Sequence, residues 1–497
     1  MKWIFNTIFV FTILTCYGQR LVLDAPMLLN RATSVHTAKS NDGTKAYIFS
    51  QRKSYEVLIV SPSYTIAGNY RIATSLSNKK SVIAGALLSS DILSIYTYNY
   101  SSGSLSCLKL HIKTGQHSMH NVFTMEKNFK VLKFIESENY FYVLSCPEYK
   151  NTIRVSVCRE NKVLENIEFD IAYPALYAKL SSGSLSLVGR SNEPLSIEQV
   201  KYDIENNVKS TYFNKKIYLI GQSLILTFDE PAITHIIMLN LEQKTSTYRK
   251  VNFSLDNKEL TVKQGNSFFF SNLIFRATLN EEQLNISIID ADSMRLLKKY
   301  NIYKEGNIDI MNGFVIQNSN DDNERVIKKT SQYFKKLMSG KLAIAVNAVG
   351  DTSYVMEVGA YEEIYYRAPS SNFYPYSPAV SFGIGFGAPY MGMGFASPFY
   401  YDPFFYPGFP GYYSPYNTSN YKSVSATYFQ SLLSSYDLSH REGRIGVSMR
   451  ERLSDYQEKV LKKTQPDLFS LVADQNVVLM GYYSKSSRMY KLVEFLK

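Results

Sequence analysis

Tryptophan is almost missing from this chain. The single residue, Trp3, sits at the extreme start, against 40 Tyr and 29 Phe. Sialidase-type aspartate boxes need a tryptophan, and sugar-stacking platforms favour one, so neither is expected. Cysteine is equally scarce. Cys16 lies just after the leading apolar stretch, leaving Cys107, Cys146 and Cys158. An odd number of thiols rules out a disulfide framework. Cys146 and Cys158 flank a predicted hairpin turning at Pro147 to Asn151, which separates them by roughly 20 Å along the sheet. Buried free thiols are therefore expected.

Catalytic signatures are also lacking. The chain has no G-x-S-x-G, no HExxH and no P-loop. His117 and His120 are three apart on a predicted strand, so they point to opposite faces and make a poor zinc pair. Asp229-Glu230 and Glu362-Glu363 are adjacent carboxylates that also point apart, whereas glycosidases need two carboxylates facing each other across a cleft. The expectation is no catalytic residues, no metal ligands and no cofactor. The net charge is +11, but the basic residues are scattered in pairs such as Lys79-Lys80, Lys215-Lys216 and Lys298-Lys299. Nucleic-acid readers concentrate their charge on one face, so no nucleic-acid partner is expected; attraction to anionic surfaces is.

No apolar run is long enough to span a bilayer as a helix. The run Ile4 to Leu14 follows Lys2 and precedes Cys16-Tyr17-Gly18. A positive start, a short apolar stretch and a small-x-small site make a secretory signal peptide over residues 1–18. Export to the periplasm, outer membrane or cell surface is expected, with lipidation at Cys16 as an alternative.

The rest reads as β structure. Residues 20–320 are a series of short aromatic and β-branched runs, such as Ala46-Tyr47-Ile48-Phe49 and Val57-Leu58-Ile59-Val60, bounded by Ser, Asn, Gly and charged clusters. A strand–polar turn–strand unit recurs, with turns at 63, 114, 161, 207, 244 and 293 and a mean spacing of 46 residues. That period suits one four-stranded propeller blade. A lone four-stranded sheet cannot cover both its faces, whereas blades stacked around an axis cover each other and leave only short edges. The expected fold is an all-β propeller of about seven four-stranded blades, within a range of six to eight, carrying small helical insertions; a pair of β-sandwiches is the alternative. Residues 19–320 hold blades, and 321–497 hold the last blades with the insertions. One helix is predicted from an Asp321-Asp322-Asn323 cap to Met338. A second covers 447–463, with Met449, Leu453, Tyr456 and Val460 on one face. Strands at Asn476 to Tyr483 and Met489 to Phe495 are expected to close the ring with an N-terminal strand near Leu21 to Leu29.

The turn Ser40-Asn41-Asp42-Gly43-Thr44 resembles the serine-x-aspartate-glycine hairpin of WD40-like and TolB-like propellers. Together with the leader and the repeats, it makes the chain similar to the exported propeller-like proteins of Gram-negative bacteria. The resemblance implies a propeller fold and export. It carries no diagnostic site motif.

The most unusual stretch is 371–416, in which 46 residues hold 17 Phe or Tyr, 8 Pro, 7 Gly and one charge, Asp402. Pro and Gly exclude a membrane helix, and disordered linkers are poor in aromatics. Burying one aromatic side chain contributes about 1.5–3 kcal/mol, so the segment is expected to bury itself against the ring, a partner or a lipid interface. The partner-contact candidates are Phe386, Tyr390, Phe399, Tyr400, Tyr401, Phe404, Phe405, Tyr406, Phe409, Tyr412 and Tyr413. The expected function is an exported, non-catalytic binding or scaffold protein of the cell envelope. Its partner is an envelope protein or a second copy, with membrane-surface contact as a further option. The alternative is a propeller hydrolase or lyase acting on polysaccharide or peptide.

Overall fold

The structure is a computed structural model that describes residues 19–29, 32–51, 53–73, 81–173, 176–181, 197–255, 261–319, 324–367, 420–459, 466–474 and 476–497. Local chemistry makes the hairpins. In the turn after the first blade strand, the Thr44 amide and the Ser40 hydroxyl both donate to the Asp42 carboxylate, and Gly43 takes φ +85°. A short acidic side chain satisfies the turn amides, and glycine accepts the left-handed backbone. The two strands that follow, Lys45–Ser50 and Ser54–Val60, alternate their side chains between two buried faces.

Among the described residues, thirty strands assemble into seven sheets. The chain starts with Gln19–Pro26 (β1), which joins the last sheet. Blade 1 is Ser34–Lys39, Lys45–Ser50, Ser54–Val60 and Ile66–Ala73 (β2–β5). Blade 2 is Ser81–Leu88, Ile92–Asn99, Ser104–His111 and His117–Thr124 (β6–β9). Blade 3 is Phe129–Glu136, Phe141–Pro147, Thr152–Arg159 and Lys162–Asp170 (β10–β13). Blade 4 adds a fifth strand and holds Glu198–Val200, Lys215–Ile220, Ser223–Glu230, Ile233–Asn240 and Thr245–Asn252 (β14–β18). Blade 5 is Gln264–Phe270, Leu273–Leu279, Gln283–Asp290 and Leu296–Tyr303 (β19–β22). Blade 6 has five strands, Val315–Ser319, Arg325–Ile327, Lys341–Val349, Ser353–Arg367 and Asn420–Ser434 (β23–β27). Blade 7 is Pro466–Ala473, Val477–Ser484 and Met489–Leu496 (β28–β30), completed by β1.

Each regular blade is an antiparallel meander, and edge strands of neighbouring blades meet around an axis: β28 beside β2, β2 beside β6, β6 beside β10, β19 beside β25. Apolar clusters fill the seams. Ile48 and Ile59 of blade 1 pack with Ile83 and Ile95 of blade 2. Tyr96 of blade 2 stacks on Phe141 of blade 3 at 4.1 Å. Blades 4, 5 and 6 share one large cluster. This is a seven-bladed β-propeller, as the repeat pattern indicated. The closing pairing is also the expected one, with β1 running antiparallel to β30 from Gln19↔Phe495 to Pro26↔Met489.

Four helices are described: Leu176–Ser181 (α1), Val208–Thr211 (α2), Thr330–Ser339 (α3) and Met449–Lys459 (α4). Two expectations need correction. Asn207 does not turn a hairpin. It caps α2, its side chain accepting from the Ser210 amide at 3.1 Å. The blade 3 and blade 4 outer turns are therefore about one blade further apart in sequence than elsewhere, because 171–214 is inserted between β13 and β15. The other correction concerns α3, which starts at Thr330 after Lys329, with Arg325–Ile327 in a strand; residues 321–323 lie outside those described. That short strand pairs with β23, which in turn lies against β27. The second helix agrees with its stripe: Met449 and Leu453 are buried and Tyr456 packs beside them, while Val460 lies outside the described residues. Cys107, Cys146 and Cys158 are free and buried. Cys158 pairs with Phe141, at the opposite end of β11 from Cys146.

Removing 19–26 should expose the outer edge of β30 and strip cover from Met27 and Leu29, which are buried against blades 1 and 7. The expected loss is roughly 5 kcal/mol, from about three apolar side chains. Urea unfolding of the shortened chain measures it.

Candidate functional site

The insertion in blade 4 defines the most distinctive region of the ring. β14 pairs parallel to β15, on the edge that would otherwise face the axis, through Glu198↔Lys216 and Val200↔Tyr218. The chain then leaves blade 4. Tyr202 stacks with Tyr218 and meets Phe268 and Phe270 of blade 5 edge-on. The Asn206 amide donates to Asn347 Oδ1 of blade 6 at 2.7 Å, and Asn347 Nδ2 donates back to the Asn206 carbonyl at 2.8 Å. The Val208 amide donates to Glu357 Oε1 at 2.7 Å, and Tyr212 stacks on Tyr361 at 4.1 Å. Asn347 faces Val355, Ala345 faces Glu357 and Lys341 faces Tyr361, so the segment runs antiparallel to β25 along the face of blade 6. Ala343 and Ala426 leave room there for α2.

On the other side of the same seam, α4 lies against blade 7. Met449 and Leu453 pack on Val478, Met480, Val493 and Phe495, with Ile204 of the insertion beside them. The Glu205 carboxylate accepts from the Met449 amide at 2.5 Å, and its carbonyl accepts from Arg450 Nε. A carboxylate at a helix N-terminus satisfies a free amide and opposes the helix dipole favourably. Blades 6 and 7 are thus joined through two helices and a segment that belongs to blade 4.

Ionisable groups gather where the insertion passes the axis. Lys133 and Glu136 belong to β10, Glu198 to β14, and Lys201 follows β14. Burial pushes Glu198 up to about 7, offset by the charges of Lys133 and Lys201. Burial also raises Glu136, although Lys201 and the Ala86 amide, which donates to Glu136 Oε1 at 2.6 Å, favour its charged form. Burial lowers Lys133 and pushes His36, on β2, down to about 4, which leaves it neutral at physiological pH. Lys201 stays exposed, and His36, Glu136 and Glu198 stay partly open to solvent. Glu136 and Glu198, each coupled to Lys201, are the members of the group poised to exchange protons with solvent. Among the described residues, no group of three or more His, Cys, Asp or Glu could hold a metal ion.

A second charged cluster is sealed between blades 4 and 5. The Asp229 carboxylate receives Arg276 Nη1 at 2.5 Å, Thr234 Oγ1 at 2.8 Å and the Ser267 amide at 2.8 Å, with Lys216 Nζ at 3.6 Å. All three charged side chains are fully shielded, and burial pushes Lys216 down to about 8. Arg276 also donates to the Glu230 and Pro231 carbonyls. The cluster latches two blades and presents nothing to a ligand. Of the carboxylate pairs seen in the sequence, Asp229 belongs to this latch, Glu230 lies 3.6 Å from His235, and Glu362 lies 4.0 Å from Lys336. His117 is exposed on β9, and His120 bonds the Ser118 hydroxyl at 2.8 Å.

The aromatic candidates Phe386, Tyr390, Phe399, Tyr400, Tyr401, Phe404, Phe405, Tyr406, Phe409, Tyr412 and Tyr413 lie outside the described residues, as do residues 1–18 with Cys16. The structure does place their anchor. β26 and β27 stay in register from Ser353↔Ser434 to Arg367↔Asn420. β25 ends opposite Tyr361, and β23 ends opposite Ser425. Beyond Glu362↔Ser425 the two strands pair only with each other among the described residues, a ribbon of roughly 17 Å at about 3.4 Å per residue. The axial charges were missed in the sequence. Their signal was a charged residue within an apolar strand, as in Phe129-Lys130-Val131-Leu132-Lys133-Phe134-Ile135-Glu136.

No family model matches the sequence, and no curated protein matches it. Solved structures similar to it include virginiamycin B lyase from Staphylococcus aureus, at 8% identity and a TM-score of 0.30, covering 96% of this chain and 99% of that one. A protein from Lactobacillus plantarum aligns at 10% identity and a TM-score of 0.29, over 67% of this chain and 83% of that one. Dihydro-heme d1 dehydrogenase NirN, in complex with DHE, aligns at 7% identity and a TM-score of 0.27. The alignment with NirN covers 53% of this chain and only 46% of that one, so this chain spans less than half of it. The class assignment rests on the sheet order itself: this chain is a propeller, with its seam and ribbon as distinguishing features.

Two variants test these contacts. Burial raises Glu357 from 4.5 to about 7, so the fold favours its neutral form. That contribution is complete below about pH 4.5 and is lost as pH rises through 7. Glu357→Gln keeps the acceptor for Val208 and removes the charge. It should stabilise the protein at pH 8 by up to about 3 kcal/mol and leave it unchanged at pH 4, as read from urea midpoints. Asp229→Ala strands two buried cations and should cost about 3–5 kcal/mol in the same assay.

Proposed function

We propose that this chain is an exported, non-catalytic scaffold of the cell envelope that holds a partner through residues 371–416. The observation that carries the reading is the β26–β27 ribbon, whose register continues past both flanking strands to Arg367 and Asn420, the residues between which that segment lies in the sequence. An isolated two-stranded ribbon is marginal in water, so a ring that projects one gains by covering it. Tyr and Phe, which dominate the segment, are frequent interface anchors. The insertion supports the same reading, because β14 occupies the inner edge of blade 4, where a substrate channel would otherwise be lined by β15.

A hydrolase or lyase is the second reading. It is favoured by Glu136 and Glu198 beside Lys133 and Lys201. The two readings separate experimentally. Under the scaffold reading, a tagged full chain captures a specific partner from gently solubilised native envelopes. A folded chain lacking 371–416 does not capture it, and Glu136→Gln with Glu198→Gln leaves capture intact. Equal, partner-free behaviour of both chains would end the scaffold reading and turn attention to the axial carboxylates.

A further inference from the structure

The rim beside the ribbon carries a charge pattern that the ring does not need for its own folding. α3 lies over the seam between blades 5 and 6. Its inward face is used up: Tyr333, Phe334 and Leu337 are buried, and Tyr333 Oη donates to the Val358 carbonyl at 2.9 Å. Its C-terminal end is held by Gln264, whose Nε2 donates to the Leu337 and Gly340 carbonyls at 3.2 and 3.1 Å, while its Oε1 accepts from the Leu342 amide at 2.9 Å. The helix is therefore fixed, with no apolar face left to insert anywhere.

The outward side is basic. Lys328, Lys329 and Lys335 are exposed, and Lys336 lies 4.0 Å from Glu362, the residue at the foot of the ribbon. Helical spacing puts Lys335 on the solvent side, opposite Tyr333 and Leu337, with the half-buried Lys336 on the flank. Lysines at the start of a helix oppose its dipole, and acidic residues are preferred there. Here the first turn has no acid, and the Lys329 cap makes no side-chain bond. Between 321 and 336 the chain holds five bases and three acids, and all three acids precede the helix. Several lysines of the ring pair with carboxylates, as in Lys39–Asp474, Lys109–Glu160, Lys244–Glu165 and Lys304–Glu282. Among the described residues, Lys328, Lys329 and Lys335 form no ion pair. Lys328 and Lys329 thus stand in a locally unfavourable place on a rigid, exposed rim, which marks a functional surface.

We propose that this lysine rim docks the propeller on an anionic phospholipid surface, with the ribbon end facing the bilayer. The inference rests on the envelope location proposed above and deepens it. Because the apolar side of α3 is locked inside the protein, attachment is electrostatic and peripheral, governed by headgroup charge and screened by salt. A lipid surface fits better than a protein partner, because a row of unpaired lysines matches a diffuse layer of phosphates without any shaped pocket.

The test uses the full chain with vesicles of phosphatidylcholine, alone or mixed with phosphatidylglycerol, in a sedimentation assay at low and high salt. The wild type should bind only the mixed vesicles and be released by salt. The Lys328→Gln, Lys329→Gln, Lys335→Gln variant should lose roughly a hundredfold in partitioning with an unchanged melting temperature. If it melts early, the triple Lys→Arg variant replaces it and must bind like the wild type. The chain lacking 371–416 should keep its dependence on phosphatidylglycerol. Its loss of envelope partners, seen separately, concerns the scaffold reading alone. Equal binding to both vesicle types, unchanged binding by the glutamine variant, or binding to a soluble polyanion such as heparin without binding to vesicles would each overturn the proposal.

Discussion

The architecture depends on how the seam between blades 6 and 7 is sealed. Elsewhere, neighbouring sheets bury side chains directly against each other. At this seam, α2 occupies one face and α4 the other, and Glu205 ties them together. The sealing segment is borrowed from blade 4. It must cross the axis to arrive, which is why β14 lies on the inner edge of β15 and why ionisable groups collect there. Closure by β1 against β30 completes the ring next to this seam, so the N-terminal strand, the axial insertion and the last helix form one mechanical unit.

Buried charge in the ring follows one rule. A carboxylate goes inside only where backbone amides or cations receive it. Glu357 and Glu205 each meet the first amide of a short helix, and Asp229 meets an arginine, a lysine, a threonine and an amide. A removed partner would leave a desolvated charge, so these contacts specify which segment lies against which blade as much as they stabilise it. The axial group differs. Its carboxylates remain partly open to solvent, and Lys201 stays exposed, so it keeps the capacity to respond to a ligand or to pH.

The hairpins were legible because their determinants are local. Polar turns at 63, 114, 161, 244 and 293 do connect the last two strands of their blades, at Ser63, Thr114, Asn161, Lys244 and Ser293. Asn207 misled because a helix cap and a turn use the same side-chain chemistry: an asparagine oxygen accepting a nearby amide. The partner that settles the matter, Glu357, is 149 residues away in sequence from Val208. The start of α3 misled in a similar way. Asp321-Asp322-Asn323 looks like a cap, but Arg325–Ile327 is drawn into pairing with β23, and a three-residue edge strand has no periodicity to read.

By itself, the sequence determined the all-β class, the blade period, closure between the two ends of the chain and the singular composition of 371–416. All of these follow from short-range alternation, turn chemistry and composition. Only the tertiary structure decided that a segment of blade 4 would fill the seam between blades 6 and 7, that Lys133, Glu136, Glu198 and Lys201 would meet at the axis, and that the β26–β27 pairing would outrun its neighbours. These features depend on contacts between residues far apart in the chain. Their free energy comes from filling space left by other blades, and no local pattern encodes the shape of that space.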